Sequence, residues 1–503
     1  MLAAPGVASA AAPFNLASQV NSTTEAADGA LAQLLQGAAR SLLQDAPPAP
    51  PAITFETLPW RAPVVAVAMI SIPGTTKYLL TWRSQYPEHN LITGTMDLQT
   101  QETTLIPTVY NQWCHGPVLL EDGTPLLVGG WPDPTPVLEV GLNVITKYDN
   151  ATNSIQEVGT RLRYERWYAT PYRLPDGKVL IVGGTDRVDR GFTPTRSEVW
   201  DPRNPAERPV LVPQPERFTA AAGYNWYPFI AVLPRGEILW WGNRAGAITT
   251  GDYRVLRNLP ELPETFPFDT MYKYTSSIVL SALKPDPSTG AYDKFSMIIF
   301  GGSVDSSGYT DAVTVAAVPG SSFSARIDFY YCGDGICDNG QVGQGHRRQG
   351  LGNIQWQIED MLGHRRIMPS ATLAPNGKIV IHGGAQFGRA GLPLSDDLQS
   401  HVAPATKTLV YDPDAAAGAR YSEADHDGIA RLYHFSQCLD VSGKILVAGC
   451  ESCGAGAQLT EAFKPSPDGS NEFRLSLGTL YENSGSVRRP NIRTVPPVIK
   501  RGS

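Results

Sequence analysis

Four residues carry the chemistry this sequence offers: Cys114, Tyr168, Tyr433 and His434. An imidazole with phenolates is a donor set that suits copper. Singly, each residue is ordinary, since a lone Cys packs as a small core residue and a lone Tyr packs with its hydroxyl satisfied. Spacing makes them a set. Cys114 and Tyr168 stand 15 residues before Gly129 and Gly183, the first members of two glycine doublets. Tyr433 stands 15 before Ala448, which opens a degenerate doublet, and Trp226 and Met368 hold the same offset from Trp241 and Gly383. His115 follows Cys114 as His434 follows Tyr433, which makes His115 a candidate further metal ligand. The other six histidines, among them His382 and His426, fall outside this register.

The elements that position these residues repeat along the chain. Each unit is a short apolar strand, a turn, a second apolar strand and the doublet. The clearest copy runs from Arg166 through Asp176-Gly177 to Gly183-Gly184. Others turn at Asp122-Gly123, Arg235-Gly236, Asn376-Gly377 and Ser442-Gly443. One copy ending at Gly301-Gly302 carries an insertion at 284–294, and a degenerate first copy covers Val64–Ile72 and Tyr78–Trp82. Asp-Gly and Asn-Gly supply the positive φ of tight hairpin turns. Seven copies spaced about 50–80 residues apart exceed a solenoid repeat and fit four-stranded blades. The sequence predicts an all-β, seven-bladed kelch-type β-propeller over 51–488. The first strand of each blade lines the axis, so residues at one offset form a ring at one depth. For Tyr433 and His434 to converge, they must sit at an irregular strand mouth, because neighbours on a strand face opposite sides. Residues 1–50 read as a low-complexity tail with one amphipathic helix (Leu31, Leu34, Leu35, Ala38, Leu42, Leu43) ending at Pro47.

Composition bounds the alternatives. The chain has 503 residues, 42% hydrophobic and 18% charged, with 48 Gly and 42 Pro. That suits many short strands joined by turns. A net charge of −7 without a basic cluster argues against nucleic acid. No apolar run reaches the ~18 residues of a membrane span. Six cysteines include two close pairs, Cys332/Cys337 and Cys450/Cys453. Each pair could close a small disulfide loop, could remain free thiols, or could join a four-cysteine zinc site. Asp334 and Asp338 near the first pair offer hard donors for calcium as a further option. An extracellular or cell-wall setting is the expectation, although Met1–Ala12 lacks the charged start and solid apolar run of a signal peptide.

Several local motifs resemble the copper radical oxidase family of galactose oxidase and glyoxal oxidase. Trp113-Cys114 resembles the family's aromatic-Cys segment, and Arg166-Trp167-Tyr168 the glyoxal oxidase segment with the cross-linked Tyr. Tyr224-Asn225-Trp226-Tyr227-Pro228 is similar to Asn-x-Tyr-Pro, and Gly384 to Gly391 to Gly-Ala-Gln-x-Gly-x-Ala-Gly. Arg431-Leu432-Tyr433-His434 matches the segment with the axial Tyr and a His ligand. Cys450 and Cys453 lie where galactose oxidase has a disulfide loop, and Arg489-Pro490-Asn491-Ile492 resembles the lead into the last domain. Thr185 stands where galactose oxidase has a Trp over its thioether, so the likeness is closer to glyoxal oxidase.

This resemblance implies copper held by Tyr168, Tyr433 and His434, and a Cys114–Tyr168 thioether radical cofactor. It implies oxidation of a small primary alcohol or aldehyde, carbohydrate included, with dioxygen reduced to hydrogen peroxide. Tyr433 would be the general base, and the Tyr168 radical would take the carbon-bound hydrogen. In the family a C-terminal β-sandwich supplies a second His ligand. Residues 489–503 read as the start of a truncated sandwich, and that ligand has no counterpart here. The competing class is a catalytically incomplete kelch propeller serving as a binding module.

Overall fold

The structure, a computed structural model, describes residues 53–83, 89–187, 191–221, 225–285, 290, 292, 294–305, 315–332, 335–337, 355–391, 400–451 and 473–480. The readings on 1–50 and 489–503, and on Asp334, Asp338 and Cys453, lie outside these residues. Seven antiparallel sheets form, each starting with a short inner strand: Ala68–Ser71, Gly116–Leu119, Trp167–Arg173, Phe229–Val232, Ser276–Leu280, Ser370–Leu373 and Ser436–Leu439. They are blades one to seven in that order, as the repeats predict. In blade five, Gly335–Cys337 and Gln357–Asp360 both pair with Phe323–Cys332. The side chains of Cys332 and Cys337 lie outside the description. Among the described residues no helix is long and apolar enough to cross a membrane.

The second strand of each blade carries the core. Val179–Thr185, Ile238–Gly242, Ile379–His382 and Ile445–Ala448 are buried at every position. Neighbouring blades cover both faces, so these strands read as continuous apolar runs without alternation. Outer strands such as Thr103–Ile106 are mostly exposed. The doublet glycines sit where one blade meets the lead-in of the next. Gly129 has φ +73°, and a Cβ there would lie 2.0 Å from the Arg166 carbonyl oxygen. Gly183 has φ +67°, with its Cβ 2.2 Å from the Asn225 oxygen. Only glycine satisfies both the dihedral and the contact.

The repeats did not disclose how the ring closes. Ile53–Arg61 pairs antiparallel with Arg474–Leu480 as the outer strand of blade seven, from Ile53↔Leu480 to Arg61↔Arg474. One blade is thus built from both ends of the described chain. Blade one opens only at Ala68–Ser71.

Candidate metal centre

Strand pairing corrects the ring of equivalent positions by one residue in two blades. Ala169 pairs with Gly183, Phe229 with Trp241, Ser370 with His382, and Ser436 with Ala448. Extending each pairing across the strand mouth sets Tyr168, Tyr227, Met368 and His434 in one register, with Cys114 in blade two. All five have positive φ: 55° for Cys114, 62° for Tyr168, 50° for Tyr227, 57° for Met368 and 61° for His434. The doublets of blades four and seven therefore begin at Gly242 and Gly449. Anchoring them on Trp241 and Ala448 shifted both copies, since a one-residue slip moves each side chain to the other face.

Blade seven also carries one extra residue. Arg166 and Arg366 precede their ring positions by two residues, whereas Arg431 precedes His434 by three. Each of these buried arginines donates to its own blade's doublet carbonyl: Arg166 to Gly183 O, Arg366 to Gly383 O and Arg431 to Gly449 O. With the arginine fixed at one end and the strand at the other, the extra residue bulges inward. Tyr433 and His434 thus face the axis together, their ring centroids 3.6 Å apart.

The structure brings the four sequence-selected residues together from blades two, three and seven. The Tyr168 and Tyr433 hydroxyls lie 2.8 Å apart, and Cys114 Sγ lies 3.4 Å from His434 Nε2. Cys114 and Tyr168 pack in one buried cluster with Trp113, Trp167 and Trp226. Burial pushes the Tyr168 and Tyr433 hydroxyls well above the usual phenol range. Burial, then the nearby Glu451 carboxylate, does the same to the Cys114 thiol. Without a cation these groups stay protonated. Two phenol oxygens 2.8 Å apart and the imidazole stacked against Tyr433 are a donor set that fits copper, which would release the phenol protons on binding.

Two neighbours, Tyr272 and Glu451, escaped the sequence reading, which places a third, Trp226, on the ring without a role. The Tyr433 hydroxyl donates to Tyr272 OH at 3.3 Å, so a third phenol joins the group. Tyr272 precedes the blade-five strand by four residues, outside the repeat register, and nothing in the spacing marks it. Trp226 lies nearly parallel to Tyr168 (12°, centroids 5.7 Å apart), and Tyr272 stacks on Tyr168 at 4.7 Å. Aromatic cover of Tyr168 thus comes from blades four and five, with Trp167 of its own blade tilted against it at 4.2 Å. Glu451 accepts from His434 Nδ1 at 2.5 Å. It stands in the Cys450-Glu-Ser-Cys453 segment, which drew notice only for its cysteines.

His115 does not join the centre. In the corrected register it matches Phe435, not His434. Its Nδ1 donates to the Gln112 carbonyl at 2.8 Å, and no ring contact or hydrogen bond among the described residues links its imidazole to Tyr168, Tyr433 or His434. Burial lowers its pKa to about 4. An unfolded His titrates near 6.5, so protons favour the unfolded chain, and stability falls as pH drops from 6.5 towards 4. Near pH 5 this amounts to about 2 kcal/mol. Burial lowers the His382 pKa to about 3, which adds a loss of similar size. Chemical denaturation at pH 7 and pH 5 should show both, and His115→Asn, whose amide can still donate to Gln112, should remove about half of the total.

Cys450 is disulfide-bonded, and Cys114 and Cys438 are free thiols. The bridge at Cys450 excludes the four-cysteine zinc site. His382, His426 and Asp427 form a second group of potential ligands in blade six. The two imidazoles stack at 4.1 Å and 20°, and one ligand atom from each of the three residues lies within 4.8 Å of the others. Arg431 holds Asp427 Oδ2 at 2.8 Å.

A family model described as glyoxal oxidase N-terminus matches residues 89–332 and 346–461. The chain belongs to the glyoxal oxidase N-terminus family. That match spans every residue of the centre. The chain is 25% identical over 359 residues to an aldehyde oxidase of Vitis pseudoreticulata, covering 70% of this chain and 58% of that protein. It is 23% identical over 358 residues to an aldehyde oxidase of Arabidopsis thaliana, covering 70% and 51%. The chain thus spans about half the length of the curated relatives it matches. A fungal alcohol oxidase of the AA5 family, solved in complex with copper, shares the fold (TM-score 0.58, 16% identity, 87% of this chain and 80% of that one).

Proposed function

We propose that this propeller is the catalytic domain of a copper radical oxidase that converts a small primary alcohol to an aldehyde, or an aldehyde hydrate to an acid. Dioxygen takes the two electrons and two protons and leaves as hydrogen peroxide. The observation that carries this is that Tyr168, Tyr433, His434 and Cys114, from three blades, pack against one another. A binding scaffold has no use for that set. Family membership and the named activities of the relatives support it.

The phenol oxygens of Tyr168 and Tyr433 and the His434 Nε2 would hold the metal. Copper, when bound, would accept one of the two electrons taken from the substrate and acidify both phenols. Tyr168, joined through a ring carbon to Cys114 Sγ, accepts the other. Tyr433 takes the substrate hydroxyl proton as general base. Tyr168 takes the carbon-bound hydrogen. Trp226 and Tyr272 stack over the Tyr168 ring and keep water from it.

A cavity of about 340 Å³ runs beside these groups, lined by Tyr168, Trp226, Tyr227, Tyr272, Tyr433 and His434 among others. Lys, Arg, Asp and Glu are missing from its described lining. Its size and aromatic walls favour a small uncharged substrate. The disulfide at Cys450 supports an oxidising, extracellular setting.

Forming the thioether removes the thiol hydrogen and one ring hydrogen, two electrons in all, with dioxygen as oxidant. Copper loading under air, then digestion and mass spectrometry, should yield one peptide joining Cys114 to Tyr168. It should be lighter by two hydrogens than the separate pair. Unlinked peptides after full loading would favour the scaffold reading.

A further inference from the structure

We propose that Glu451 is a positioning residue for this centre, fixing the tautomer and ring plane of His434, and that Arg83 holds its carboxylate in place. The role rests on the copper oxidase reading. His434 Nδ1 lies 2.5 Å from Glu451 Oε2, and its Nε2 lies 3.4 Å from Cys114 Sγ. A carboxylate only accepts, so Nδ1 carries the proton and the Nε2 lone pair faces Cys114. A ligand imidazole tied through its other nitrogen to a carboxylate is held in orientation and made more basic.

Glu451 is itself anchored on several sides. Its side chain is fully buried, and Oε1 pairs with Arg83 Nε from blade one. The Arg83 guanidinium lies over the Trp113 ring, 5.5 Å from its centroid. Trp113 in turn meets His434 at 89°, centroids 5.7 Å apart. The Glu451 backbone N–H donates to the Tyr433 carbonyl at 3.0 Å. Next to it, Cys450 is disulfide-bonded, and its sulfur accepts the Leu432 N–H at 3.1 Å. Residue 451 is therefore tied to the dipeptide it orients. A buried carboxylate is tolerated here because it has both a cation and a hydrogen-bond donor. Without it the imidazole could flip, or carry its proton on Nε2 and block that donor.

The test uses the full chain and Cu(II) alone as the probe. Glu451→Ala should weaken Cu(II) affinity about 10–100-fold and change the nitrogen splitting in the Cu(II) EPR spectrum. Glu451→Gln, whose amide oxygen still accepts from Nδ1, should recover most of the affinity. In the metal-free protein, ¹⁵N-histidine NMR should show His434 protonated on Nδ1 in the parent and a tautomer mixture in Glu451→Ala. Thermal melts check folding. Arg83→Met, on a partly exposed side chain, should weaken affinity a few-fold and supplies the comparison if the Ala variant does not fold. A parent that binds copper while Glu451→Ala and Arg83→Met match it in affinity, spectrum and tautomer overturns the positioning role alone. A parent that takes up no more copper than His434→Ala overturns the oxidase reading, and this role with it.

Discussion

Tyr433→Phe should lower kcat/KM of the copper-loaded protein about 10²–10⁴-fold, the usual range for a lost general acid–base group. The hydroxyl removed lies 2.8 Å from Tyr168 OH and 3.3 Å from Tyr272 OH. It is one of three oxygens in the centre and the one proposed to take the substrate proton. The ring itself remains, still stacked on His434 with centroids 3.6 Å apart. Folding should therefore change little, and the loss should fall on kcat more than on KM. Tyr272→Phe is the control, because it removes a hydroxyl that only accepts from Tyr433 and should cost far less. The measurement is peroxide release with a small primary alcohol or aldehyde, beside thermal melts of all three proteins. Equal turnover in Tyr433→Phe and the parent would remove Tyr433 from the mechanism.

The largest stability effect should come from Glu198→Ala. Arg166 and Glu198 are both fully buried, with Arg166 Nε 2.9 Å from Glu198 Oε1. The same carboxylate accepts the backbone N–H groups of Arg163 at 2.6 Å and Tyr164 at 3.2 Å. Burial already works against the Arg166 charge, and Glu198 is the charge that opposes that effect. Removing the carboxylate strands a guanidinium and two amides, so the variant should lose about 3–5 kcal/mol. A shift in the denaturant midpoint reads this. A loss below about 1 kcal/mol would mean that water or another acceptor replaces the carboxylate. Arg166 precedes Tyr168 by two residues, so copper uptake should weaken as well.

The fold was legible because its determinants are local. Glycine turns, apolar second strands and closing glycines each follow from short-range sterics and burial, and they recur around the ring, with full Gly-Gly pairs at 129–130, 183–184, 301–302 and 383–384. Cys114, Tyr168, Tyr433 and His434 were legible for the same reason, since a repeat converts offset along the chain into position around an axis. His115 shows where that conversion fails, because anchoring blade seven on Ala448 instead of Gly449 pairs it with His434 instead of Phe435. Tyr433 shows a second limit. Blade seven holds one residue more between Arg431 and its strand than blade three holds after Arg166. Offsets counted from the far end of the strand do not register that insertion.

Local sequence alone determined the seven blades, the turns between their strands and the four residues aimed at the axis. Only the tertiary structure decided the rest. Ile53–Arg61 closes blade seven because the strand it needs, Arg474–Leu480, comes from the other end of the described chain. Tyr272, Trp226, Glu451 and Arg83 join the centre from blades five, four, seven and one. Closing the ring brings together strand mouths that lie hundreds of residues apart. Which side chains then touch depends on φ values and one-residue bulges that no spacing rule carries.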